Sequence, residues 1–238
     1  MKSLSFFLLS SATLLSLISC DGQKGSGGKT ALKNKVDSVS YGIGFNIGQS
    51  LKKDSLYEID ADLIAKGIKD MFANDTTVMQ AKDAQMAIQS FMQEKAKKKG
   101  DANIEKGKKF LSENAKKEGV KTTATGLQYM IVKEGTGPKP TAMDNVTVHY
   151  HGTLVNGTVF DSSVQRGEPA HFGVSQVIPG WTEALQLMTV GSKWKLFIPS
   201  DLAYGERAQG PIGPNEVLIF DVELISINPA ATGNPAHH

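Results

Sequence analysis

A chain of 238 residues with 40% apolar and 21% charged side chains has room for one or two globular domains, and its composition excludes collagenous and intrinsically disordered proteins. The formal net charge of +2 lies too close to neutral to make nucleic acid an expected partner, although lysines bunch locally. A single cysteine, Cys20, leaves no intramolecular disulfide to form.

In chain order, Lys2 is followed by an apolar run from Leu4 to Ile18 that also contains Ser and Thr. That run is shorter than the roughly 20 residues needed to span a bilayer, and its charged start is that of a secretory signal over residues 1–19. The run ends Leu17-Ile18-Ser19-Cys20. This end resembles the bacterial lipobox, in which the peptide is cut before the cysteine and the cysteine takes the lipid. The resemblance implies lipidation at Cys20, and two or more acyl chains anchor firmly where one holds weakly. Residues 20–33 then comprise the lipidated cysteine and a polar, Gly-rich stretch with the composition of a flexible linker.

From Asp37 the periodicity is helical, with Ile43, Ile47 and Leu51 four residues apart and Ser38 or Ser40 placed to cap the start. Gly44 and Gly48 share a face and predict close approach of another helix. A second helix is predicted from about Asp62 to Phe72, with Asp60 and Asp62 at its positive end and Asn74-Asp75 closing it. Thr77 and Gln80 form a capping-box signature for a long polar helix, in which Gly100-Asp101 marks a weak point or break before helical character resumes to about Lys117. Helices with such narrow apolar stripes bury too little surface alone. Residues 34–95 are therefore expected to form a homodimerisation domain and 96–121 a connecting helix, with the lysines at 95, 97, 98 and 99 on its solvated face.

Beyond Thr125 the period becomes two. Leu127, Tyr129 and Ile131, then Val146, Val148 and Tyr150, then Trp194, Leu196 and Ile198, and finally Leu218, Phe220, Val222 and Leu224 alternate with their neighbours as half-buried strands do. Asn156-Gly157 is a hairpin signal between Leu154 and Val159. One short helix, begun near Trp181, interrupts the strands, so an antiparallel sheet curled around that helix is the economical architecture. The expected fold class is thus α+β: a helical N-terminal dimerisation domain with a long connecting helix, then an antiparallel half-barrel over residues 122–228, and a disordered tail at 229–238.

Six motifs in order make the second half recognisable: Val148-His149-Tyr150-His151-Gly152, Gly157 to Ser163, Val177-Ile178-Pro179-Gly180-Trp181, Ile198-Pro199, Ala203-Tyr204-Gly205 and Leu218 to Leu224. They resemble the FK506-binding-protein family of peptidyl-prolyl isomerases over about residues 125–227. The whole chain resembles the family's dimeric macrophage infectivity potentiator type, found in Gram-negative cell envelopes. The resemblance implies that Trp181 is the floor under a proline ring and that Tyr150, Phe160, Phe172, Val177, Ile178 and Phe220 are walls. It also implies that the Ile178 N–H and the Tyr204 hydroxyl donate to substrate and that the Asp161 carboxylate lies near the twisting amide. Ile212, in a Gly- and Pro-rich loop, is expected to point into the pocket from its rim, while Trp194 and Phe197 are expected to be structural. Asp161 can alternatively cap the Asp-Ser-Ser turn.

The partners implied are unfolded or folding proline-containing polypeptides, a second copy of the chain, a membrane through the lipid on Cys20, and macrolides of the FK506 class. Ala170 stands where many single-domain relatives carry an aromatic residue, and the Glu206 to Pro214 loop lacks a histidine found in some of them. The location implied is the bacterial envelope, at an outer membrane, facing the periplasm or the cell surface. No cofactor is expected. His149 and His151 share a strand face as a metal pair would, but a third ligand is not evident and no metal is expected. The competing function is a dimeric holdase chaperone with little or no isomerase activity.

Overall fold

The computed structural model describes residues 31–228. The signal segment, Cys20, most of the linker and the tail at 229–238 lie outside the described residues. The described chain forms two bodies that divide between Asp75 and Thr76.

The first body holds helices α1 (Lys35–Lys53) and α2 (Ala61–Phe72). Asn34, in extended backbone, caps α1 by accepting from Asp37 N at 2.9 Å, so Ser38 and Ser40 lie inside the helix and are not its cap. Asp60 caps α2, accepting from Asp62 N at 2.8 Å and Leu63 N at 3.2 Å, as its place before an amphipathic run predicts. Neither helix buries a residue: Tyr41, Ile43, Phe45, Leu63, Met71 and Phe72 are all exposed.

The second body opens with α3 (Ala81–Asn114). It starts after Gln80 without a side-chain cap, so Thr77 does not open it as the capping-box spacing predicts. Nor does the helix break at Gly100-Asp101. The salt bridges Lys98–Glu94 at 2.6 Å and Lys97–Asp101 at 2.8 Å run along that stretch. Gly100 is there because the chain passes close by: a Cβ would stand 3.0 Å from Asn215 Nδ2 and 3.5 Å from Pro214 Cβ. At Gly107 a Cβ would meet Val217 Cγ2 at 2.8 Å. Between them the buried Asn103 donates from Nδ2 to Pro214 O at 2.8 Å. Farther along, Asn114 Nδ2 donates to Gln128 Oε1 at 2.9 Å, and Gln128 Nε2 donates to Leu111 O at 2.9 Å. These bonds engage buried amides, leaving Asn114 Oδ1 without a partner among the described residues, and pin α3 to the sheet domain.

Seven strands make one antiparallel sheet: β1 (Val120–Thr122), β2 (Gln128–Lys133), β3 (Asn145–Leu154), β4 (Val159–Ser162), β5 (Ala170–Gly173), β6 (Lys193–Ile198) and β7 (Leu218–Asn228), in the order β1-β2-β6-β7-β3-β4. β4 and β5 share the free edge of β3, β5 against Asn145 to Val148 and β4 against His151 to Thr153. Two further helices follow strand ends: α4 (Ser163–Arg166) after β4, absent from the sequence expectation, and α5 (Pro179–Leu187). Trp181, Ala184 and Leu185 of α5, with Met188 just beyond it, are buried among Val146, Val148, Leu196, Leu218, Val222 and Leu224 of the strands. Burial of this apolar set at roughly 25 cal/mol per Å² drives the sheet to close over the helix. Trp194 belongs to the same core and stacks on Tyr129 at 4.4 Å, while Phe197 stands against Phe110 of α3 at 6.0 Å.

Candidate active site

Pro179 at the first turn of α5 fixes the chain for the helix and sets Trp181 two residues on, where its indole is buried beneath a cavity of about 620 Å³. Three rings meet that indole edge to face: Tyr150 at 5.4 Å from β3, Phe172 at 5.8 Å from β5 and Phe220 at 5.2 Å from β7. Phe160 of β4 stands against Phe220 at 5.3 Å. Edge-to-face packing of this kind fixes ring positions beyond simple burial. Strand alternation explains the arrangement, because Tyr150 and Phe220 are inward residues of paired strands and β5 delivers Phe172 from the other side of β3.

Val177, Ile178, Asp161 and Tyr204 line the same cavity, and Ile212, buried, closes it from the Gln209 to Ile212 turn. Every residue that the sequence placed at the site thus lines one cavity. Several hydrogen-bond donors there have no acceptor among the described residues, among them the Ile178 amide, which precedes the first turn of α5, the Tyr204 hydroxyl and the buried Trp181 indole N–H.

Asp161, by contrast, has both oxygens engaged. Tyr150 Oη donates to Oδ2 at 2.5 Å, and Arg166 Nη1 donates to Oδ1. Arg166 Nη2 also donates to Tyr150 Oη at 3.0 Å, and its guanidinium stands 5.6 Å from the centre of the Tyr150 ring. Arg166 is the member that the sequence reading missed. Its signal lies in the run Asp161 to Gly167: Ser162 Oγ accepts from Gln165 N at 3.2 Å, one short helix follows, and Gly167 ends it in the left-handed region. That single turn carries Arg166 back over Asp161. The cap of the turn is therefore Ser162, while the Asp161 side chain serves Tyr150 and Arg166.

Burial pushes the Asp161 carboxyl up, but the hydrogen bonds from Tyr150 and Arg166 and the guanidinium charge outweigh it, so its pKa lies below the ordinary carboxylate range. Burial is also the largest cause raising the Tyr150 phenol, with the bond to Asp161 adding to it against Arg166. A depressed carboxyl contributes stability that is present above its unfolded pKa and lost as pH falls through the folded one. The isomerisation rate is therefore expected to stay level from about pH 5 to about pH 8 and to fall only in acid below about pH 4, measured on a proline peptide after subtracting the spontaneous rate.

The two histidines are apart from this cavity chemistry. His149 Nδ1 lies 3.1 Å from Ser163 Oγ and His151 Nδ1 3.0 Å from Ser162 Oγ, and among the described residues no group of three or more metal-ligating side chains is present.

Residues 137–225 match the family described as FKBP-type peptidyl-prolyl cis-trans isomerase, and residues 36–131 match the domain amino terminal to it. The chain is 48% identical over 210 residues to the outer membrane protein MIP of Legionella longbeachae, an alignment covering 85% of this chain and 90% of that one. This chain belongs to the FKBP-type peptidyl-prolyl cis-trans isomerases. An FKBP-type isomerase named FkpA from Aeromonas hydrophila is 43% identical over 260 residues, covering 96% of each chain. The crystal structure of FkpA from Escherichia coli superposes with a TM-score of 0.64 at 40% identity, covering 84% of this chain and all of that one. Family membership makes the chain an enzyme of X-Pro rotation, acting on proline-containing polypeptides, with an α+β architecture of N-terminal helices and an open antiparallel sheet.

Proposed function

We propose that the protein accelerates X-Pro rotation in folding proteins of the bacterial cell envelope by holding the twisted amide, without covalent chemistry, in the cavity above Trp181. The observation that carries this reading is the pairing of an apolar aromatic cavity with unengaged donors, the Ile178 amide and the Tyr204 hydroxyl among them, beside a carboxylate whose oxygens are both occupied. An X-Pro amide offers carbonyl acceptors and no N–H, so this inventory matches its needs. The barrier of roughly 18–20 kcal/mol comes from amide resonance, and the planar form has more charge separation than the twisted one. A dry, shaped wall that strips water from the carbonyl favours twisting, and each tenfold of rate needs only about 1.4 kcal/mol.

In this scheme the proline ring lies on Trp181, with Tyr150, Phe160, Phe172, Val177, Phe220 and Ile212 around it, and Ile178 and Tyr204 hold carbonyls on either side. Asp161 acts on the amide through its field and holds the Tyr150 ring in place. The cavity is also proposed to accept macrolides of the FK506 class. Residues 34–95 are proposed to dimerise the protein, which the exposed apolar faces of α1 and α2 support: Phe45 is 62% and Phe72 85% accessible in the single chain. The lipid on Cys20 is proposed to hold the dimer at an outer membrane, a reading supported by the name of the Legionella relative.

The test is a proline-limited peptide isomerisation assay on residues 21–238, with suppression of aggregation of an unfolded protein measured in parallel. Acceleration of the peptide is expected. No acceleration with aggregation still suppressed would replace the isomerase by a holdase. Sedimentation at micromolar concentration is expected to give a dimer, and a monomer would remove residues 34–95 from that role.

A further inference from the structure

A second cavity, of about 580 Å³, lies between α3 and the β3–β4 turn, and Pro211 lines both it and the Trp181 cavity. Its apolar lining includes Leu154, Val155 and Val217. Its α3 wall presents Lys99, Asn103 and Lys106, which share a helix face by their spacing. Asn103 is committed to Pro214 O, but neither lysine has an ion-pair partner among the described residues, and Glu216 is the only acidic residue in the lining. Gly100 and Gly107 let the helix lie close enough to the segment Pro214 to Val217 to form this wall.

A client of this enzyme is a polypeptide, and its chain must continue beyond the residues that the Trp181 cavity can hold. We propose that the cleft between α3 and the β3–β4 turn is a second subsite for the same client chain, taking a segment with acidic side chains in the polyproline II conformation. Lys99 and Lys106 are seven residues apart on the helix, about 10 Å along its axis. That rise is close to one turn of a polyproline II segment, three residues at about 3.1 Å each, so carboxylates in a Glu-x-x-Glu pattern would lie on one face and meet both ammonium groups while the intervening residues meet the apolar lining. The proposal rests on the isomerase reading, because the neighbouring cavity must hold the proline.

The test uses fluorescently labelled single-proline peptides extended on one side, in either order, by Glu-x-x-Glu or by Gln-x-x-Gln. Binding to the intact protein is read by anisotropy, which does not depend on turnover. For one of the two orders, the acidic peptide is expected to bind about five- to tenfold more tightly at low salt, and the advantage should shrink as ionic strength rises. The double variant Lys99→Glu with Lys106→Glu, which alters two exposed side chains, should abolish the advantage while leaving the isomerisation rate of a short tetrapeptide unchanged. An acidic advantage that persists in the variant, or none for either order in the parent, would overturn the proposal. So would loss of binding to phosphatidylglycerol vesicles in the variant without peptide discrimination, which would make the cleft a membrane contact. An unaccelerated tetrapeptide with the acidic preference intact would instead sink the isomerase reading and leave the cleft as a peptide-binding site.

Discussion

Trp181→Ala is expected to cost about 3–5 kcal/mol of folding stability and to lower kcat/KM on a short proline peptide by about a hundredfold, equivalent to about 2.7 kcal/mol of transition-state binding. The indole is buried, and Tyr150, Phe172 and Phe220 all rest their edges on it or meet its edge, so its removal takes the floor and leaves three walls without a common support. Chemical denaturation reads the first effect. The rate must be measured well below the melting transition, so that the loss reports the cavity and not unfolded chain. Trp181→Phe keeps an apolar ring and is expected to fall between the parent and alanine in both respects.

Asp161→Ala is expected to lower kcat/KM by about ten- to a hundredfold, with a smaller loss for Tyr150→Phe. The reason is the closed triangle of side chains. Removing the carboxylate leaves the Arg166 guanidinium without its counter-charge beside the Tyr150 hydroxyl, and the ring loses the bond that sets its angle over Trp181. Removing only the hydroxyl leaves the Arg166–Asp161 pair in place. Groups that share one network do not contribute independently, so the double variant should cost less than the sum of the two singles. Full additivity would mean that the carboxylate acts on substrate without passing through Tyr150.

The strands that carry this site are legible in the sequence because their apolar residues alternate, while the assignment of their aromatic residues to a pocket comes from the resemblance to the isomerase family. Val146, Val148 and Tyr150 point one way along β3, and Phe220, Val222 and Leu224 are spaced alike along β7. Trp181 is legible as an indole at the head of a short helix among strands, and its role as a floor comes from the same resemblance. What the sequence hides is governed by partners outside the local hydrophobic pattern. Gly100 reads locally as a helix breaker, yet its cause is Pro214 and Asn215, more than a hundred residues away. Asn103 and Asn114 look like ordinary polar helix residues until Pro214 and Gln128 are brought to them. β1 and β5, of three and four residues, are too short to display a period of two. Arg166 is hidden differently, since its role depends on one turn of helix that no hydrophobic pattern announces.

Trp181 itself offers the most direct measurement. The chain has two tryptophans, so Trp194→Phe leaves Trp181 as the sole indole emitter. Titrating that variant with a proline-containing peptide, with binding followed in parallel by calorimetry, is expected to change the Trp181 emission saturably with the same dissociation constant as the heat. Calorimetric binding with no change in Trp181 emission would place the proline elsewhere and contradict a cavity built on this indole.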